Sequence, residues 1–138
     1  AEIAMFYLQR PLFARFSALW LLGLSVAVAA IRFVLVGASA GALWLLVVTQ
    51  LLHAITFGVH HTASQAMLSR WFAPEQQASA QALYVTIGYG LGGVLGGLCA
   101  SWIWVAVSPA AAFYGAGAVA ALGCVAVWWC ARSEGGVA

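Results

Sequence analysis

Apolar residues run through this chain in long blocks broken by short polar connectors, and the blocks set the expected elements. Residues 1–9, AEIAMFYLQ, read as the end of a helix. The connector Arg10–Arg15 follows, and Pro11 within it disfavours a continuing helix, because proline lacks an amide donor and crowds the preceding turn. Further apolar blocks cover residues 16–36, 42–68, 78–105 and 110–131. A run of about 18 or more apolar residues is long enough to cross a hydrocarbon core of about 30 Å as a helix. The pattern therefore predicts an all-α polytopic transmembrane helix bundle, with four full spans plus the end of a fifth. Between the blocks lie a charge-free turn at 37–41, a polar connector at 69–77 carrying Arg70, Pro74 and Glu75, and a break at Ser108–Pro109.

Composition strengthens that reading. The 138 residues are 65% hydrophobic and only 6% charged, whereas a soluble domain carries about a quarter charged residues. Lysine is absent, and the net charge of +2 is small and dispersed, which argues against nucleic-acid binding. Cys99, Cys124 and Cys130 sit in apolar runs without metal or disulfide spacing and read as small hydrophobes. The chain opens without a methionine, a basic n-region or a cleavage pattern. Its start resembles the middle of a helix, so the whole reads as the C-terminal portion of a longer protein whose N-terminal helices are a missing partner.

The arginines set the expected orientation. Arg10 and Arg15, then Arg70, then Arg132 are separated by two crossings each, so they share one side, while the connectors around Ser39 and Ser108 carry no charge. The positive-inside rule puts that side, and the C-terminus, in the cytoplasm of a plasma (bacterial inner) membrane.

All three histidines fall within nine positions of the third block. At about 100° per residue, Thr49, Gln50, His53, Thr56, Phe57, His60, His61 and Ser64 share an arc of roughly 140°. Leu51, Leu52, Ile55, Gly58 and Val59 lie outside it, and Thr62 is the polar exception. An imidazole or amide facing acyl chains lacks partners, so the stripe is expected to face protein or a water-filled path. Histidine adds a proton that exchanges near neutral pH. Two readings stand side by side: one wall of a polar cavity, or hydrogen-bonding glue between helices. His60 and His61 also lie near the cytoplasmic end, within reach of the interface.

No metal or haem site is expected. The H-x-x-x-H box of membrane oxygenases fails at Phe57, and bis-histidine haem needs ligands on facing helices, whereas these share one. Gly88–Gly93 matches G-x-G-x-x-G but lies inside an apolar span, without the strand or acidic residue a dinucleotide site requires. Gly88, Gly92 and Gly96 instead form a row at four-residue spacing, a pattern that lets helix backbones approach closely. Arg32 is the one charge deep inside a full span, read either as an inward functional group or as a snorkelling one. Glu2 is the one acidic residue within an apolar segment, a candidate proton or counter-charge site. Gln81 and Tyr84, three apart, share a face that either extends the polar lining or caps a helix start.

The run Gln50-Leu51-Leu52-His53-Ala54-Ile55-Thr56-Phe57-Gly58 resembles the Q-x-x-H-x-x-(T/S)-F-G stretch in the tenth helix of a major facilitator superfamily branch. That branch contains the 3-phenylpropionate permeases and is related to the nucleoside:proton symporters. Pro74-Glu75 with Ala80-Gln81-Ala82-Leu83-Tyr84 is similar to its link into helix eleven, and Glu2, Arg10–Arg15 and Ile31-Arg32-Phe33 are similar to helices eight and nine. The resemblance implies residues 1–138 as the C-terminal transmembrane portion of a proton-driven transporter, with two six-helix halves rocking about a central site. It matches Glu2, Arg32, Gln50 and His53 to recurrent polar positions; His60 and His61 lie outside its pattern.

The expected function is therefore part of a proton-coupled permease, not an enzyme, for a small organic solute such as an aromatic acid. It would work by alternating access without a cofactor, its partners being the solute, the proton, the lipid bilayer and the missing helices. Gln50, His53, Phe57, His60, Gln81 and Tyr84 would line the path, Glu2 or His53 would exchange the proton, and Arg32 would attract a carboxylate. The rival readings are a non-transporting helical scaffold held by the glycine row and an intramembrane metalloenzyme.

Overall fold

The computed structural model describes residues 2–39 and 41–135, with side chains at 7, 10–39 and 41–133. Those residues form helices joined by short turns, with no strand among them. Helix α1 spans Glu2–Arg15 and α2 spans Ala18–Ala38. The long helix α3 covers Leu43–Trp71, α4 covers Pro74–Ala106 and α5 covers Pro109–Gly135. Four of these, α2 to α5, are long and apolar enough to cross a membrane.

The expected break at Pro11 is overturned: α1 runs through Pro11 as far as Arg15. Proline removes the hydrogen bond to the Tyr7 carbonyl four residues back, but Tyr7 and Pro11 are both exposed, so the freed carbonyl lies on the open side of α1 and the helix continues. The other ends follow local chemistry. Ser17 caps α2, its Oγ accepting from the Trp20 amide at 3.2 Å. Ser39 closes α2 by donating its hydroxyl to the Val36 carbonyl at 2.6 Å, and Gly41 takes the turn into α3 at φ 85°, a conformation glycine adopts without strain. Ser108 caps α5 by accepting from the Ala111 amide at 3.1 Å, with Pro109 at the first helical position, where its missing donor costs nothing.

Helix α2 is the hub. It packs along α5 on one side and along α3 on the other. The α2–α5 contact is antiparallel and close, and glycines make it so. A Cβ on Gly23 would lie 3.3 Å from Val127, and one on Gly123 would lie 3.1 Å from Val26. One on Gly117 would lie 3.3 Å from Val34, and one on Gly37 only 2.7 Å from the Tyr114 ring. The small-residue surface that closes two backbones is therefore this crossing. The row Gly88, Gly92 and Gly96 on α4 has a different setting: a Cβ at Gly88 or Gly96 meets no atom within 4 Å, and at Gly92 it meets only the Ile87 carbonyl of its own helix, at 3.3 Å.

The apolar core joins Leu21 of α2 to Ala54, Val59 and Ala63 of α3, with Leu12 and Phe13 of α1 packed against it. Helix α4 touches α3 near their shared turn and α5 near its own far end. Arg15, Arg70 and Arg132 consequently fall at one end of the bundle, at the α1–α2 turn and in the last turns of α3 and α5.

Two of the long helices change pitch part-way. A π-helical turn covers Ile55–Val59 in α3, and a second covers Val85–Leu91 in α4. Such turns are rare, they rotate everything beyond them relative to an unbroken α-helix, and they concentrate at functional sites.

Candidate functional site

The polar stripe of α3 divides into two lines. The first faces α2. Thr49 is fully buried, its hydroxyl donating to the Leu46 carbonyl at 2.7 Å, and Ser64 is buried two turns from the α3 end. His60, half-buried, brings Nδ1 to 3.3 Å from Oγ of the fully buried Ser25 on α2. This is the glue reading in part: the Thr49 hydroxyl is satisfied within its own helix, and His60 makes one polar contact between helices.

The second line is open. Gln50, Phe57 and His61 are exposed in this chain, and His53 is half-buried beside them. Their rings form a column at four-residue spacing: His53 stacks on Phe57 at 5.7 Å between centroids, and Phe57 on His61 at 6.5 Å. One turn further, Oε1 of Gln65 accepts from Nε2 of Gln81 on α4 at 2.7 Å. Gln81 therefore serves neither as a cap nor as an isolated polar group; it ties α4 to the foot of the column. Gln65 was not among the sequence candidates, although its four-residue step from His61 places it on the same face.

Tyr84 lies on α4 just before the π-helical turn. Its ring meets Tyr89 edge-on at 5.7 Å. Five residues span about 140° on an α-helix, but the wider π-turn brings positions i and i+5 to one side. Tyr89 thus joins the candidate residues, and a uniform helical wheel conceals it.

Arg32 lies six residues before the end of α2, half-buried, with its guanidinium carbon 4.9 Å from the centroid of the Phe33 ring. Its buried Nε has no hydrogen-bond partner among the described residues. A cation with an unused donor in an apolar span suits an anion or an interfacial oxygen equally well. Glu2 belongs to α1, but its side chain lies outside the described residues.

The structure thus brings together His53, Phe57 and His61, joins Gln65 to Gln81, and pairs Tyr84 with Tyr89; His60 is turned to α2 instead. Among the described residues no three histidine, cysteine or acidic side chains are grouped to hold a metal ion. What the open column can do chemically is accept and donate hydrogen bonds through imidazole and amide groups and stack flat rings against aromatic ones.

No curated protein and no solved structure matches the chain. The model of the MFS_1 like family matches residues 1–115, which takes in α1 to α4 and the start of α5. Spans long enough to cross a membrane, joined in this order and matched over most of their length, place the chain in the MFS_1 like family of major facilitator transporters.

Proposed function

We propose that this chain is the C-terminal portion of a proton-coupled permease for a small organic solute, an aromatic acid being the class its groups suit best. The observation that carries this reading is the open column Gln50–His53–Phe57–His61 on α3. The polar groups Gln50, His53 and His61 on one open side of a membrane helix are costly against acyl chains and favourable against a hydrated path, and Phe57 between them adds a flat apolar ring. Stacked rings receive an aromatic solute, amide and imidazole groups orient it, and Arg32 attracts its carboxylate. Glu2 or His53 exchanges the coupled proton.

In this reading the open column looks toward the helices that precede residue 1, and solute binds between the two halves near the midplane. The arginine-bearing end lies in the cytoplasm of a bacterial inner membrane, and so does the C-terminus. The Gly88–Gly96 row, where an added Cβ meets no other helix within 4 Å among the described residues, is a second surface for those helices.

The test is uptake of radiolabelled 3-phenylpropionate and related acids by cells producing the complete protein. His53→Ala and Glu2→Gln are each expected to flatten the pH dependence of uptake and to reduce its rate. If both variants keep the rate and the pH profile of the parent, the proton roles given to these residues are wrong.

A further inference from the structure

Ser25 is a fully buried hydroxyl in the middle of an apolar helix, and its geometry fixes more than its own position. A serine hydroxyl has one hydrogen to donate. Oγ of Ser25 lies 2.8 Å from the Leu22 carbonyl of its own helix, an atom that can only accept. With its proton elsewhere, that contact would set two oxygen lone pairs against each other in a buried place. The Ser25 proton is therefore committed to Leu22, and toward His60 the same oxygen is left as an acceptor. Nδ1 of His60, 3.3 Å away, has to be the donor.

We propose that Ser25 is a positioning residue that holds His60 as the Nδ1–H tautomer, so that the ring binds a further proton at Nε2 alone. The two ring nitrogens are not equivalent, and the partner of one decides the state of the other. With Nδ1 occupied against α2, uptake of a proton from water forms a new N–H bond at Nε2, on the opposite edge of the ring. The Ser25 contact persists through that step, because Nδ1 donates in the neutral ring and in the imidazolium alike.

The position of His60 suits such a role. It follows directly on the π-helical turn Ile55–Val59, so its approach to Ser25 ties the shifted part of α3 to the hub helix. The ionisable groups on the neighbouring elements are few. Helix α1, packed on the π-turn, carries Arg10, Arg15, Tyr7 and Glu2; α2 carries Arg32, seven residues or about 10 Å along the axis from Ser25. His53, His61 and Arg70 share α3 itself; α4 carries Glu75, Tyr84 and Tyr89, and the side chains it brings into hydrogen bonds with this end of α3 are the neutral Gln77 and Gln81. The inference does not depend on transport or on the identity of a solute.

The test is nitrogen NMR of the complete protein, with 15N-labelled histidine, in lipid nanodiscs; His60→Gln assigns the signal. Expected is a bound proton on Nδ1 and none on Nε2 at high pH, with Nε2 becoming protonated as pH falls. Ser25→Ala should move the neutral ring toward the Nε2–H form. Ser25→Thr, whose hydroxyl can make the same backbone bond, should keep Nδ1–H. An Nε2–H ring in the parent protein overturns the proposal without any variant being needed, and so does an unchanged tautomer in Ser25→Ala.

Discussion

Replacing Gly37 with leucine is expected to lower the melting temperature of the complete protein more than any exposed substitution on the same helices. A Cβ at this position already lies 2.7 and 2.9 Å from two carbons of the Tyr114 ring and 3.2 Å from the Ala110 carbonyl. The ring can swing aside; the carbonyl is backbone and cannot move unless α5 does. Three further carbon atoms force the α2–α5 crossing apart, and overpacking of this kind costs about 1–3 kcal/mol. Helix association in a bilayer draws on van der Waals contact and not on the exclusion of water, so a lost close approach is felt directly. Thermal unfolding in detergent, followed by tryptophan fluorescence, measures the loss. Val119→Leu, on an exposed side of α5, should leave the melting temperature unchanged, and Tyr114→Ala should restore part of what Gly37→Leu removes. An undisturbed Gly37→Leu protein would mean that α2 and α5 do not cross as described.

Arg32→Gln is expected to raise the half-saturating concentration of a carboxylate solute by about 10- to 100-fold, the equivalent of one charge-assisted hydrogen bond at about 1.5–3 kcal/mol. The buried Nε, without a partner among the described residues, motivates the expectation, because a solute oxygen would supply what they do not. A neutral amide analogue of the same acid should lose little, since the term at stake is charge. Lysine should rescue in part at most: it restores the charge but not the planar fork that grips a carboxylate with two donors. Concentration-dependent uptake of acid and amide by the parent, Arg32→Gln and Arg32→Lys proteins separates these cases. Equal losses for both solutes would reassign Arg32 to snorkelling and packing.

Much of the fold was legible because apolar run length is a one-dimensional signal. The blocks at 42–68 and 110–131 need no tertiary knowledge to be read as spans, and they are found as α3 and α5, whose starts at Leu43 and Pro109 differ by one residue. Pro11 was misread because the penalty for proline depends on what surrounds the freed carbonyl, and the sequence does not show that Tyr7, which bears it, is exposed. The two π-helical turns were invisible for a related reason. A helical wheel assumes one pitch, and nothing in ITFGV or VTIGYGL announces a wider one. That assumption concealed Tyr89. His60 and His61 part for a simpler reason: neighbours on a helix point about 100° apart, so a stripe about 140° wide holds both although one turns to Ser25 and the other stays open. The glycines told a similar story. The row Gly88–Gly96 is periodic along one helix and catches the eye, whereas the close crossing draws single glycines from two helices, which no spacing rule within one helix connects.

The account rests on the open column of α3 meeting water and solute, and cysteine accessibility measures that directly. In the complete protein, freed of its native cysteines, Gln50→Cys, Phe57→Cys and His61→Cys are each exposed to a membrane-impermeant maleimide. Val119→Cys and Leu122→Cys, on exposed positions of α5, serve as lipid-facing references. Thiolate forms in water and hardly at all among acyl chains. The account predicts rapid labelling at 50, 57 and 61, slowed by bound solute, and little at 119 and 122; labelling at 50, 57 and 61 as slow as at 119 and 122 would contradict it.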